Sequence, residues 1–425
     1  MVILLQFYKE ENFKKTEIGE IPEDWEVREL KDILEVIRNG LTAKQNKDKI
    51  GYPITRIETI SDSKIDITKL GYVEDIKQED IAKYRLIIGD ILFSHINSEE
   101  HIGKVAIYEG KPEFLLHGMN LLLLRPNKNK IEPYYLLYLL RHFKQKNIFK
   151  YIAKRAVNQS SINQTQLKHL KIPLPPLEEQ KQIAKILSDF DNLIGTINKQ
   201  IEVLNKAKKG MMKKLFTKGV FEHKSFKKSE IGEIPEDWEV VELGNEKYFK
   251  IIMGQSPPSS SYNKEGEGVP FLQGKAEFGN IYPNPVLYTN KPLKVVDDED
   301  ILISVRAPVG DVNIAPFKLC IGRGLAGIKS NKEKVDNFFV FYYLSYIKPK
   351  IEYLGGGAVF KAITKKDLES IKIPLPPLEE QKAIAKRLKA IDDLIEIKRK
   401  EKEQIEKAKK KIMNLLLTGK IRVKT

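Results

Sequence analysis

A single cysteine, Cys320, stands among 425 residues, so no disulfide can close within the chain and a reducing compartment, the cytoplasm, is the expected setting. The six histidines are scattered, and none joins a cysteine at zinc-ligand spacing. Long apolar runs are missing: stretches such as Leu121 to Leu124 fall far short of a bilayer's thickness, so no membrane association is expected. The start, Met1 to Tyr8, has neither a basic segment nor a small-residue cleavage site, so no secretion signal is expected. Acid is in deficit. Lys plus Arg number 73 against 58 Asp plus Glu, a net charge of +15, which points to a polyanionic partner, nucleic acid ahead of an acidic membrane. With 41% apolar and 31% charged residues the composition is that of a globular chain, and the length exceeds one ordinary domain.

The chain repeats itself. Lys14 to Val27, containing Ile18-Gly19-Glu20-Ile21-Pro22-Glu23-Asp24-Trp25, recurs from Lys227 to Val240 with one change, Thr16 to Ser229. A second block, Lys171-Ile172-Pro173-Leu174-Pro175-Pro176-Leu177-Glu178-Glu179-Gln180-Lys181, recurs unchanged from Lys372 to Lys382. The order is block, variable segment, block, twice over. That is the duplication of a whole domain with its connector, and its period is too long for a solenoid. Two such units can pack with pseudo-two-fold symmetry, as a homodimer made covalent does.

Each connector predicts a long helix. After Pro175-Pro176, apolar residues fall at Ile183, Leu187, Phe190, Ile194, Ile197, Ile201, Leu204, Met211 and Leu215, with Lys208 in the skipped position. The second copy continues the register at Ile384, Leu388, Ile391, Ile395, Ile405, Ile412 and Leu416, interrupted by Lys398, Lys402 and Lys409. This heptad seam over more than four heptads calls for a partner helix. The other copy would supply it in an antiparallel coiled coil; the alternative is a helix of another protein. Lysines crowd the end of each helix, which suits either the helix dipole and a solvated face or a basic strut near a partner. The expected divisions are residues 1–177 (first head), 178–219 (first helix), 220–378 (second head) and 379–425 (second helix and tail).

The variable segments read as mixed α/β. β-type runs at Asp90–Ser94, Lys104–Tyr108 and Leu121–Leu124 lie between Gly, Asn and Pro, followed by a helical pattern from Glu132 to Leu140. Asp300–Ser304 and Phe338–Leu344 echo them. The expected fold class is α+β: two homologous heads with a common frame and different surfaces.

Catalytic motifs fail on context. Gly322-Arg323-Gly324-Leu325-Ala326-Gly327 matches the dinucleotide fingerprint, but the residues that follow read as a strand end and turn rather than the required helix. Asp90 with Glu109-Gly110-Lys111 has the form of a metal-dependent nuclease, yet the second copy keeps only Asp300. No Pro-Pro pair carries the acceptor and aromatic that an adenine methyltransferase needs to hold a flipped base. No metal site and no resident cofactor are expected. The rival readings are a stand-alone nuclease or methyltransferase, and a coiled-coil protein that binds DNA without sequence preference.

Binding chemistry remains. In the second head Gln255, Ser256, Ser260, Tyr262, Gln273 and Lys275 lie in small, polar stretches, and Arg306 and Arg323 sit at strand ends. Amides can read adenine, guanidinium can read guanine, and lysine meets phosphate. The first head offers Arg56, Ser94, His95, Asn97, Asn120, Asn158, Gln159 and Ser160, with Lys361 of the second head aligned to Ser160. A polar surface loop or an ion-pair arginine explains the same residues equally.

Taken together, the Trp25 and Trp238 blocks, the twice-used Ile-Pro-Leu-Pro-Pro-Leu-Glu-Glu-Gln and the two long helices resemble the specificity subunit of type I restriction–modification enzymes, over essentially the whole chain. The resemblance implies a non-catalytic subunit. Each head would be a target recognition domain reading one half of a split, asymmetric site in double-stranded DNA, with the coiled coil setting the gap. It also implies two methyltransferase subunits that methylate adenine and up to two restriction subunits, with S-adenosylmethionine, ATP and Mg²⁺ belonging to those partners.

Overall fold

The computed structural model describes residues 7–61, 64–156, 159–354 and 362–424. It divides into two compact units: residues 1–197 with 401–425, and residues 198–400. Each unit thus takes one head together with half of each long helix.

The first head is built on a four-stranded antiparallel sheet in the order Val105–Ile107, Ile91–Phe93, Leu122–Pro126, Leu34–Asn39. Alternation along each strand sorts the side chains to two faces. Ile91, Phe93, Val105, Ile107, Leu122 and Leu124 pack with the helix Pro133–Gln145, through Tyr135, Leu136 and Leu139. Leu92, Ala106 and Leu123 face the other way, against Ile60, Leu70 and Leu121. Both faces are covered, which is why these runs carry no polar alternation.

The second head repeats the sheet in the same order: Val312–Ile314, Ile301–Ser304, Leu325–Ser330, Phe249–Met253. The helix Asn337–Tyr346 covers one face. The outer layer is where the heads part. In the first it consists of small two-stranded pairings, Tyr52–Ile54 with Gly71–Val73 and Ile60–Ser61 with Lys64–Ile65. In the second it is a five-stranded sheet, order Tyr262–Asn263, Leu287–Thr289, Val269–Leu272, Leu319–Ile321, Val295–Val296.

The repeated blocks close each head onto its helix. Phe13–Thr16 and Gly19–Pro22 form a hairpin, as do Phe226–Ser229 and Gly232–Pro235. The strand Lys171–Leu174 then pairs antiparallel with Glu26–Glu29, and Lys372–Leu375 with Glu239–Glu242. The start and end of each head are zipped together beside a fully buried tryptophan, Trp25 or Trp238.

The long helices span Leu177–Lys218 and Leu378–Leu417. Their 42 and 40 residues correspond to about 60 Å each at a rise of about 1.5 Å per residue. Within the first unit the early turns of one meet the last turns of the other: Ile183 and Leu187 share a core with Met413, Leu416 and Leu417. The second unit repeats this, with Ile384 and Leu388 beside Met212, Leu215 and Phe216. The pairing is antiparallel.

Along the seam Ile197 and Ile395 are buried, while Phe190, Ile194, Ile201, Leu204, Ile391, Ile405 and Ile412 are half-buried. One position departs from the heptad reading: Met211 is exposed and its neighbour Met212 is buried. There the helix packs on its head rather than on a coiled-coil seam, as Phe216 shows by its edge contacts with Phe339 and Tyr343. Straight helices drift from a seven-residue repeat, so the buried stripe moves round by one residue.

The lysines that interrupt the seam are part of it. Lys409 is buried, its ammonium 2.5 Å from Asp191 and 5.1 Å from the centre of the Tyr138 ring, and the Tyr138 hydroxyl donates to Asp191. In the second unit Lys208 meets Asp392 at 2.7 Å and lies over Tyr342, whose hydroxyl donates to Asp392. Each unit builds the same Tyr–Asp–Lys cluster. Among the described residues no helix is long and apolar enough to cross a membrane.

Candidate nucleic-acid interface

Three loops cross at one end of each central sheet, and glycines let them do so. In the first head a Cβ on Gly40 would lie 1.9 Å from the Gly118 carbonyl oxygen, and one on Gly118 would lie 2.0 Å from that of Thr55. Leu41 N donates to His117 O at 2.9 Å, and Gly118 N donates to the Thr55 hydroxyl at 2.9 Å. In the second head a Cβ on Gly254 would lie 2.2 Å from the Gly322 oxygen, and Gly322 itself presses on Gln273 and Ser256. Gln255 N donates to Ile321 O, and Gly322 N to Leu272 O. The same crossing is made twice from different residues. The Gly322 run therefore serves close backbone approach, and the strand Leu325–Ser330 that follows cannot receive a pyrophosphate.

The tips of the crossing differ. In the second head it gathers Gln255, Ser256, Gln273 and Arg323, with Arg323 N donating to the Ser256 hydroxyl at 3.2 Å and Gly324 N to Gln273 O. Arg306 is exposed close by, since Val305 N donates to Gly324 O. These guanidinium and amide groups are exposed and suit base edges. In the first head Arg56 and Asn120 line one cavity with Met119 and Gln45. Asn120 is exposed and holds a left-handed backbone, φ +66°. Arg56 is tied to Glu58 at 2.8 Å. Met119 and Gln45 were missed by reading the sequence, for a methionine or a lone glutamine carries no signal until the crossing places it.

Several expected residues lie elsewhere. Ser94, His95 and Ser160 are buried, so the folded head does not present them to a duplex. Burial pushes the His95 imidazole down to about 4. Ser94 accepts from Asn97, which lines a polar cavity with Lys69, His101, Lys104 and Lys144. Lys275 is committed to Asp311, which also holds Lys348. The Tyr262 hydroxyl donates to Pro257 O and its ring packs on Phe271, so it braces the loop. Ser260 is exposed beside it. Asn158 and Lys361 lie outside the described residues, and for Gln159 only the strand backbone is described.

The nuclease constellation dissolves. Asp90 is buried, accepts two bonds from Arg125 at 2.8 Å and caps the turn through Ile87 N. Asp300 does the same for Asp297 N.

The Glu-Glu-Gln of the repeated block docks each head. Glu179 accepts from Trp25 Nε1 at 3.0 Å, and Glu380 from Trp238 Nε1 at 2.9 Å. The amide of Gln180 bridges Glu132 N, Lys130 O and Pro175 O; that of Gln381 bridges Asp336 N, Lys334 O and Pro376 O. The cation beside the buried glutamate differs. In the first unit Arg422 binds Glu179, Asp24 and Glu10; in the second His223 lies between Glu380 and Asp237. His223, Asp237 and Glu380 form a group of the kind that can hold a metal. However, the two ring nitrogens face different carboxylates, and Glu380 Oε1 already takes Val220 N, Phe221 N and His223 Nε2. The imidazole itself fills the place that the Arg422 guanidinium fills in the first unit.

A duplicated frame with paired helices, common loop crossings and unlike side chains at their tips defines a two-headed sequence-reading adaptor. The family model for the type I restriction modification DNA specificity domain matches twice, at residues 22–206 and 235–407, and the chain belongs to that family. It is 46% identical over 443 residues to the MjaVIII type I restriction enzyme specificity subunit of Methanocaldococcus jannaschii, across 100% of this chain and 99% of that one. A chain solved in a study of assembly of a type I R-M system is 28% identical, with a TM-score of 0.57 over 94% of this chain and 99% of its own. The S subunit of M. genitalium shares the fold at 16% identity, with a TM-score of 0.58 over 92% of this chain and 96% of that one. The protein is the DNA-recognition subunit of a type I restriction–modification system.

Proposed function

We propose that each head reads one half of a bipartite, asymmetric DNA site, and that the paired helices fix the number of unread base pairs between the halves. The observation that carries this is the loop crossing, whose backbone is common to both heads while its side chains differ. Arg323, Arg306, Gln255 and Gln273 read in the second head; Arg56 and Asn120 read in the first. Two methyltransferase subunits and up to two restriction subunits assemble on this frame. S-adenosylmethionine, ATP and Mg²⁺ are theirs, as is the methylation of adenine.

The first test is a map of N6-methyladenine in host DNA with the gene present and deleted. Loss of one split motif, others intact, is expected; an unchanged map from a cell whose methyltransferase subunit co-purifies with this chain would refute the reading.

Two further outcomes follow from the geometry. A seven-residue insertion at Gly195, matched by one near Ile405 opposite it, adds about 10 Å of paired helix. It is expected to lengthen the gap by about three base pairs at the spacing of B-DNA and to leave both half-sites unchanged. Methylation at the old spacing would refute the ruler. Arg323→Ala, by contrast, is expected to cost about 1–3 kcal/mol and relax one position in one half-site only, measured by competition with single-base variants at fixed salt. Equal losses on scrambled duplex would reassign Arg323 to phosphate.

A further inference from the structure

Among the described residues, the two most exposed large apolar or aromatic side chains are both tyrosines: Tyr151 at 84% and Tyr353 at 81%. They occupy the same place in the two heads. Tyr151 follows by two residues the buried Phe149, which packs on Gly103; Tyr353 follows by two the buried Ile351, which packs on Gly310. Both glycines have positive φ, +76° and +82°. Gly103 N donates to Ser94 O, and Gly310 N to the matching Ser304 O. Around this common scaffold the two heads have changed most of their outer surface, yet each keeps a tyrosine almost wholly in water. Packing does not explain it, since neither ring is buried and no aromatic or cation–π contact involves either among the described residues.

Lysines stand near both. Lys150 adjoins Tyr151, and Lys104 and Lys150 stand close enough to Lys144 to lower its pKa, after the larger effect of burial. Lys350 is on the helix that carries Tyr353, where Lys348 is paired with Asp311 and Glu352. An exposed aromatic set among lysines suits a nucleic acid better than an apolar protein surface.

We propose that Tyr151 and Tyr353 are matched DNA contacts, one per head, that hold the duplex whatever its sequence. This rests on the DNA-reading function above. A side chain common to both heads cannot distinguish two different half-sites, so its contact is with something both half-sites share: the sugar–phosphate backbone, on whose sugar rings an aromatic ring can pack. The tyrosines grip while the loop crossings select.

The test uses the chain assembled with its methyltransferase subunits. Affinity is measured for a duplex carrying the methylated motif and for a scrambled duplex, across a salt series. Each tyrosine is changed to Ala and to Phe, singly and together. Tyr151→Ala and Tyr353→Ala are each expected to weaken both duplexes by about tenfold. The slope of affinity against salt should be unchanged, since no ion contact is lost. The methylated motif and the melting temperature should also stay as they are, and Phe should restore most of the affinity. A double Ala variant that binds both duplexes within twofold of the parent overturns the proposal. So does one whose only defect is loss of the methyltransferase subunits on purification, which would assign the tyrosines to that partner. If the parent itself fails to prefer its motif over scrambled DNA, the recognition reading falls instead, and the tyrosine result stands apart from it.

Discussion

Arg422→Ala is expected to destabilise the first unit by about 3–5 kcal/mol, the cost of removing one partner from a buried ion pair. The guanidinium donates to both oxygens of Glu179, at 2.8 and 2.7 Å, to both of Asp24 and to Glu10. The Glu179 side chain is 3% exposed and would be left in a dry site without its cation, while Glu10 keeps the Glu11 and Asn12 amides as donors and contributes less. Asp24 is half exposed and contributes less. For a unit of this size the melting transition should fall by roughly 10 °C. Glu179→Gln in the same chain removes the stranded charge and keeps an acceptor for Trp25 Nε1. The double variant should therefore be more stable than the sum of the single losses. A single variant melting within 2 °C of the parent would show that Arg422 is dispensable.

The same cluster sets a response to acid. Arg422 holds Asp24 below the usual carboxylate range, and Glu10 is held there by the Asn12 amide first and by Arg422 second. Both folded values lie below the unfolded ones. Their contribution is complete above about pH 5 and is lost as pH falls through the folded values. In the second unit His223→Ala should cost less, about 1–2 kcal/mol. Glu380 there keeps Val220 N, Phe221 N and Trp238 Nε1 as donors, so it is not stranded.

Reading the sequence reached the duplication, both long helices and the central strands, because each is written in local pattern or in direct repetition. Ile91–Phe93 and Ile301–Ser304 are short apolar runs bounded by turns, and they are strands. What the pattern could not hold is distance. Trp25 meets a carboxylate 154 residues away, and Gly40 touches Gly118 across 78 residues. Nothing local marks either contact. Ser94, His95 and Ser160 looked available because polar residues near strand ends usually are; here all three are buried, Ser160 within the strand Gln159–Ser161 that pairs with Ile96–Asn97, and His95 just before that pairing, its carbonyl accepting from Ile162 N. Gly322-Arg323-Gly324 reads from the sequence as leading into a strand, and it does, yet its purpose, letting three loops cross, needed the fold.

Lys409 was legible only as a fault in the seam, and the fault has a consequence for recognition. Asp191→Ala is expected to cost the first unit about 3 kcal/mol. It leaves Lys409, 9% exposed, facing Arg141 with no carboxylate between them, since Arg141 also pairs with Asp191. Burial pushes the Lys409 ammonium down to about 8, below its unfolded value. Between about pH 8 and 10 the unfolded chain therefore binds a proton that the folded chain has released. The stability contributed at this site rises with pH across that window, and Lys409→Met should flatten the rise. An apolar seam of Ile and Leu can slip by a heptad at little cost, whereas a buried Asp–Lys pair in each unit is satisfied in one register alone. Replacing both pairs together, Asp191→Leu with Lys409→Met and Asp392→Leu with Lys208→Met, should keep stability within about 2 kcal/mol of the parent, because well-packed apolar groups can stand in for buried ions. It should also loosen the ruler, so that a methylation map shows the same two half-sites at more than one gap. A map with a single unchanged gap would mean that the heads and their bound partners, not these lysines, hold the register.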